Sequence, residues 1–129
     1  GFMWPPSSLV PQNMETFERE VLRRCVPCRP GPVERVARDL AEVHAELLLV
    51  HPFREGNGRV ARLIAGMMAL QAGYPPPDFG FQSSNNRTQY LQAVKAGYTG
   101  EHAGLTGVVA KAIKRVEKKA RRLKNGNAA

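Results

Sequence analysis

The sequence predicts an all-α fold of one domain, and three observations carry that expectation. Apolar residues return every three or four positions in one segment after another. Prolines and glycines cluster between those segments, and the period-two alternation of a half-buried strand is nearly absent. With 129 residues, 43% of them hydrophobic, the chain can bury one core and is too short for two.

Taken in order, the opening FMWPPSSLVPQ is proline-rich and is expected to be extended. Met14 to Cys25 places Met14, Phe17, Val21 and Leu22 at helical spacing, and RPGP breaks the chain after it. From Val33 the pattern is plainly helical through Val36, Ala37, Leu40, Val43, Leu47, Leu48 and Val50, with Pro32 suited to the first turn. A second such helix begins near Arg59 and carries Val60, Leu63, Ile64, Met67, Met68 and Leu70 as its apolar positions before Gly73 and YPPP stop it. DFGFQSSNN reads as a loop in which Asn85 or Asn86 caps a short helix over Thr88 to Ala96. Leu105 to Leu123 forms a last amphipathic helix through Val108, Val109, Ala112, Ile113 and Val116.

The formal charge of +8 is concentrated at one end. Residues 111–129 hold eight basic side chains (Lys111, Lys114, Arg115, Lys118, Lys119, Arg121, Arg122, Lys124) against Glu117 alone, a local charge of +7. A basic run of this kind is more often a solvated helix face than a nucleic-acid site, so nucleic acid is not an expected partner. No apolar stretch reaches the roughly 18 to 20 residues of a membrane span. The opening lacks a signal peptide's basic leader, so the expectation is a cytoplasmic protein, or one delivered into another cell if it acts as an effector. Cys25 and Cys28 form a CxxC with no second pair to complete a zinc site and no βαβ pattern for a redox motif, which leaves two thiols near a turn. His44 and Glu46 make the H-x-E of zinc deaminases, but CVPC precedes it where P-C-x-x-C should follow.

Residues 51–62, HPFREGNGRVAR, lie between the two most apolar helices. Gly56 and Gly58 at a helix N-terminus let a ligand approach the backbone, and the unpaired N–H groups of a first turn favour an anion. Arg59 and Arg62, three apart, can both reach phosphate oxygens, and Asn57 adds a neutral donor. Glu55 would repel that anion unless a cation intervened, and Mg²⁺ is commonly held by one carboxylate plus phosphates. His51 titrates near neutrality and can take a proton from an incoming hydroxyl, while Phe53 is expected to plug the core and fix the loop. The chemistry that uses every group is attack on a metal-bound nucleotide phosphate. Singly, each has a plain reading: a helix-end histidine, a Glu55 to Arg59 salt bridge, an ordinary GNG turn. A plain turn, however, does not require two arginines, an acid and a histidine at fixed offsets.

The stretch resembles the Fic family signature H-x-F-x-[DE]-G-N-G-R-x-x-R at His51, Phe53, Glu55, Gly56, Asn57, Gly58, Arg59 and Arg62. The likeness continues in FMWPP, in the helix running into HPF, in MALQAGYPP and in YLQAVKAG. It implies a Fic-type helical bundle with the motif loop between two central helices and a small, here partial, β-hairpin flap at the N-terminus. The core would span residues 1–110, its N-terminal helix and first flap strand absent, followed by a basic helix or tail at 111–129. The resemblance further implies a protein adenylyltransferase moving AMP from Mg²⁺-bound ATP to a Ser, Thr or Tyr hydroxyl of a target protein and releasing pyrophosphate. His51 would then be the general base, Glu55 the Mg²⁺ ligand, and the Gly56, Asn57 and Gly58 backbone an anion hole. Arg59 and Arg62 would hold the β and γ phosphates, Tyr90 would lie near the nucleoside, and Phe2, Met3 and Trp4 would dock the target. The family's inhibitory [ST]-x-x-x-E-[GN] helix has no match here, since TFEREV carries Val21 at its last position. By the resemblance, regulation would come either from sequence not present here or from a small antitoxin-like partner supplying a glutamate near Arg62. The alternatives are transfer of a phosphoryl, UMP or phosphocholine group, and a non-catalytic module that interacts through the basic helix.

Overall fold

The computed structural model describes residues 3–127. Met3 to Pro6 is extended, and a 3₁₀ turn at Ser7–Leu9 leads into helix α1, Val10–Phe17. The helix begins earlier than the proline content suggests because Pro11 sits in its first turn, where the missing N–H has no intrahelical partner to lose. It continues as a π-helical stretch, Glu18–Leu22, and ends in α2, Arg23–Cys25. Phe17, Val21 and Cys25, spaced by four, are buried along this segment.

Helix α3, Val33–Val50, is the centre of the molecule. Val36, Ala37, Leu40, Ala41, Val43, His44, Ala45, Leu47, Leu48 and Val50 are all buried, more than one amphipathic stripe can hold, because α3 is covered on several sides by α1 and by the three helices that follow it. Helix α4, Asn57–Gln71, packs on α3 alone among the described elements. Its core face is only partly the one expected: Met68 is buried and Val60 and Ile64 pack half-buried against the core, joined by the small Ala61, Ala65 and Ala69, whereas Leu63, Met67 and Leu70 are exposed. Small residues let the two helix axes approach, and these three larger apolar ones are turned outward. The C-terminus closes as foreseen, with Gly73 at φ +86 and the paired bonds Gly73 N–H to Leu70 O and Tyr74 N–H to Ala69 O.

Helix α5, Ser84–Gly97, is capped by Ser83, whose Oγ accepts from the Asn86 N–H at 3.3 Å. Asn86, one of the two expected caps, instead donates its side-chain amide to Gly80 O. Helix α6, Ala103–Asn127, runs unbroken through residue 110, and Leu105, Val109, Ala112 and Ile113 are fully buried against the body. Beyond Glu117 every residue through Gly126 is exposed, and the basic run is the solvent-facing end of a core helix, tied to the body where Lys114 meets Glu34 at 3.3 Å, Arg115 donates to Asp78 O at 2.6 Å and Lys119 meets the Asp78 carboxylate at 2.5 Å.

The all-α class holds. No strand occurs among the described residues, and the expected flap is present only as the extended lead Met3 to Pro6. No helix among them is long and apolar enough to cross a membrane. Cys25 and Cys28 are both buried free thiols, and burial pushes Cys25 up to about 11.

Candidate active site

The chain leaves α3 through His51, the one non-glycine residue with positive φ among those described (φ 54, ψ 59), whose N–H still bonds to Leu47 O. Histidine enters this left-handed region more readily than β-branched residues do, and here it turns the chain sharply out of the helix. The imidazole stacks on the Trp4 indole, ring centroids 4.1 Å apart at 24°. Trp4 is fixed in turn by donating Nε1–H to Leu48 O at 3.2 Å. His51 Nδ1 is buried without a hydrogen-bond partner, so Nε2 is the ring nitrogen left to serve a ligand.

Gly56, at φ +87, is the N-cap of α4 and offers no side chain to its first N–H groups. The donors of Asn57, Gly58 and Arg59 therefore lack both an intrahelical acceptor and a capping oxygen. The loop ahead of them is held by Asn57. Its Oδ1 accepts from Phe53 N–H at 2.9 Å and its Nδ2 donates to Phe53 O at 2.7 Å. This buried amide commits its oxygen and one of its two N–H donors to the loop, and its backbone N–H remains in the cradle. The expectation for Phe53 is corrected. Its ring is 49% exposed, and the loop is fixed through the Phe53 backbone instead.

Side chains on a helix lean toward its N-terminus, and both motif arginines do so. A methyl group added at Gly56 would lie 3.2 Å from Arg59 Nη2, and one at Gly58 would lie 3.1 Å from Arg62 Nη1. Gly58 is thus required for the room it leaves a guanidinium; its φ is one any residue adopts. Two guanidinium groups and an uncapped helix N-terminus converge on one loop, a field suited to a polyphosphate. Glu55 is exposed and forms no ion pair among the described residues, so the salt bridge with Arg59 is not made. Phe53, Glu55, Gly56, Arg59, Val60 and Leu63 line a shallow cavity of about 330 Å³ beside the loop. One unpaired carboxylate among phosphate-binding groups fits a Mg²⁺ that takes its other ligands from phosphates and water.

Glu55, Gly56 and Arg59 thus share one cavity, Arg62 lies against Gly58, and His51 opens the same loop, while the outlying expectations fare differently. Tyr90 is 5% exposed, with its hydroxyl 2.6 Å from His44 Nε2. Phe2 lies outside the described residues. Met3 is 87% exposed, whereas Trp4 faces His51. Two contacts had no herald in the motif: the Trp4 stack, and Phe81, whose ring lies under Arg62 with Cζ 5.2 Å from its centroid.

Comparison with known proteins agrees with this geometry. Residues 2–69 match the Fic/DOC family model, a span that contains the whole motif loop. The chain is 39% identical over 54 residues to Protein adenylyltransferase Fic of Nematostella vectensis, covering 42% of this chain and 13% of that protein. It is 34% identical over 80 residues to Protein adenylyltransferase fic-1 of Caenorhabditis elegans, covering 62% and 14%. It is also 46% identical over 54 residues to Protein adenylyltransferase and cysteine protease IbpA of Histophilus somni (strain 2336), covering 42% and 1%. The matched segment is thus a small part of each of these curated relatives. With a family match over more than half its length, and with the motif loop folded around an uncapped helix N-terminus, the chain belongs to the Fic/DOC family.

Proposed function

We propose that this site is a protein adenylyltransferase centre, transferring AMP from ATP to a Ser, Thr or Tyr hydroxyl of a target protein. The observation that carries the reading is the gathering of the Arg59 and Arg62 guanidinium groups over Gly56 and Gly58, next to a histidine with one ring nitrogen available. His51 Nε2 takes the hydroxyl proton as the oxygen bonds to the α-phosphorus, and the bond from that phosphorus to the bridging oxygen breaks. Arg59 and Arg62 hold the β and γ phosphates and so carry the charge that grows on the departing pyrophosphate. The N–H groups of Asn57, Gly58 and Arg59 form the anion hole. Mg²⁺ bound by Glu55 and phosphate oxygens would add further neutralisation of that charge. The names of the relatives, each a protein adenylyltransferase, support AMP as the group transferred. No carboxylate among the described residues pairs with Arg62, which leaves its guanidinium open to a glutamate from a small helical inhibitory partner.

The test incubates the protein and its His51→Ala variant with cell lysate and Mg·ATP labelled at the α or at the γ phosphate. Label from the α position on protein, lost in His51→Ala, is the expected result. Label from the γ position alone would replace AMP transfer with phosphoryl transfer, and label independent of His51 would remove the base.

A further inference from the structure

A phosphate-binding arginine is only as good as its placement, because a long, rotamer-rich side chain loses entropy on being fixed. Arg62 has been given a support. Its guanidinium lies over the Phe81 ring, 5.2 Å to the centroid, and Phe81 meets Tyr90 edge-on with centroids 4.9 Å apart. Tyr90 is backed by Phe79, at 5.4 Å, and by His44, at 5.6 Å. The phenol and the imidazole are 5% and 1% exposed, and Tyr90 Oη is 2.6 Å from His44 Nε2. The three residues come from α3, α4 and α5, so the contact spans the bundle.

The direction of these bonds follows from what each group can do. A guanidinium only donates. A tyrosine oxygen beside it must therefore accept, and must send its own proton elsewhere. His44 Nε2 is the acceptor within reach, which assigns the imidazole the neutral tautomer with its proton on Nδ1. Both titrations agree. Burial lowers His44 to about 4, opposed by a backbone hydrogen bond at Ala61 and reinforced by the charge of Arg62. Burial raises Tyr90, while Arg62 opposes the rise through its charge and a side-chain hydrogen bond. A histidine and tyrosine that merely filled the core would not need a hydroxyl next to the site's arginine.

We infer that Tyr90 and His44 are positioning residues for Arg62, forming a buried chain from guanidinium to phenol to imidazole that holds the arginine over Gly58 for a terminal phosphate. The inference rests on the phosphate role proposed above, and its test is built to separate the two. Calorimetry would measure binding of Mg·ATP and of AMP to the wild type, Tyr90→Phe, His44→Leu, His44→Gln, Arg62→Ala and the Tyr90→Phe, Arg62→Ala double variant. In parallel, ¹⁵N relaxation of the Arg62 Nε–H would report the order of its side chain without any ligand. Expected are roughly five- to tenfold weaker ATP binding in Tyr90→Phe and His44→Leu with AMP binding unchanged. His44→Gln, whose amide oxygen can accept from Tyr90, should recover most of the loss, and the double variant should be no worse than Arg62→Ala. The Arg62 Nε–H should become more mobile in Tyr90→Phe.

Equal order of the Arg62 side chain in wild type and Tyr90→Phe would overturn the positioning role, as would parallel losses of ATP and AMP or additivity with Arg62→Ala. Failure of the wild type to bind ATP would instead refute the phosphate role of the site. The relaxation measurement would still decide whether Tyr90 holds Arg62.

Discussion

Asn57→Ala distinguishes a structural lock from a ligand donor at the middle of the motif. The substitution removes two hydrogen bonds to Phe53, at 2.9 and 2.7 Å, from an amide that is 6% exposed. Each is worth about 1 kcal/mol net, and because Phe53 is half exposed, water can reach the freed N–H and carbonyl, so the full penalty for a buried unpaired group does not apply. The expected cost is about 2 kcal/mol, which lowers the melting temperature of a chain this size by roughly 8 °C. Scanning calorimetry reads that loss, and Mg·ATP titration well below the transition reads binding. A cradle loosened at the loop should bind ATP more weakly, in step with lost stability. An unchanged melting temperature together with abolished ATP binding would refute the lock and return the Asn57 side chain to the ligand.

Further outcomes follow from neighbouring contacts. Gly58→Ala should leave stability unchanged or raised, since alanine is favoured in a helix by about 1 kcal/mol. Its methyl would press on Arg62, so calorimetry should show about tenfold weaker ATP binding, and undiminished affinity would mean Arg62 yields at no cost. Trp4→Ala removes a stack worth about 0.5–1.5 kcal/mol. It should slow AMP transfer several-fold with little change in ATP affinity, and a loss of affinity at unchanged rate would contradict the role of Trp4 as a wall for the base. His44 makes stability depend on pH in a definite sense. Its folded value is lowered to about 4, so between there and its ordinary value near 6.5 the unfolded chain takes up a proton that the folded chain refuses. Stability is then full above that window and falls as the pH drops through it, by at most about 1.4 kcal/mol per unit. His44→Gln should flatten that part of a melting-temperature profile, and an unchanged slope would assign it to other groups.

How much of this could be read from the residues depended on whether the cause was local. The α3 pattern, the Gly73 stop and the cradle at the start of α4 are set by neighbours within a few positions, and all were legible. The core face of α4 was legible only in part. Hydrophobicity pointed to Leu63, Met67 and Leu70, but close approach to α3 selects small residues, and nothing in the α4 sequence announces how near another helix will come. Pro11 misled in the other direction, because a proline that breaks a helix interior is harmless in its first turn. At the site, the motif named the groups proposed to touch a phosphate and said nothing of what holds them. Trp4 against His51, and Phe81 and Tyr90 beside Arg62, are contacts between residues tens of positions apart or on different helices.

The Trp4 contact has a practical bearing on how small this protein can be made. A fragment trimmed to start at α3 would keep every motif residue, both arginines and the central helix, and would pass any check made on sequence. It would lack the indole that walls one side of the imidazole, leaving the His51 ring free to sample orientations in which Nε2 faces away from an incoming hydroxyl. Ahead of α1, in a stretch with no regular structure, the chain thus already carries the side chain that sets how the His51 ring lies.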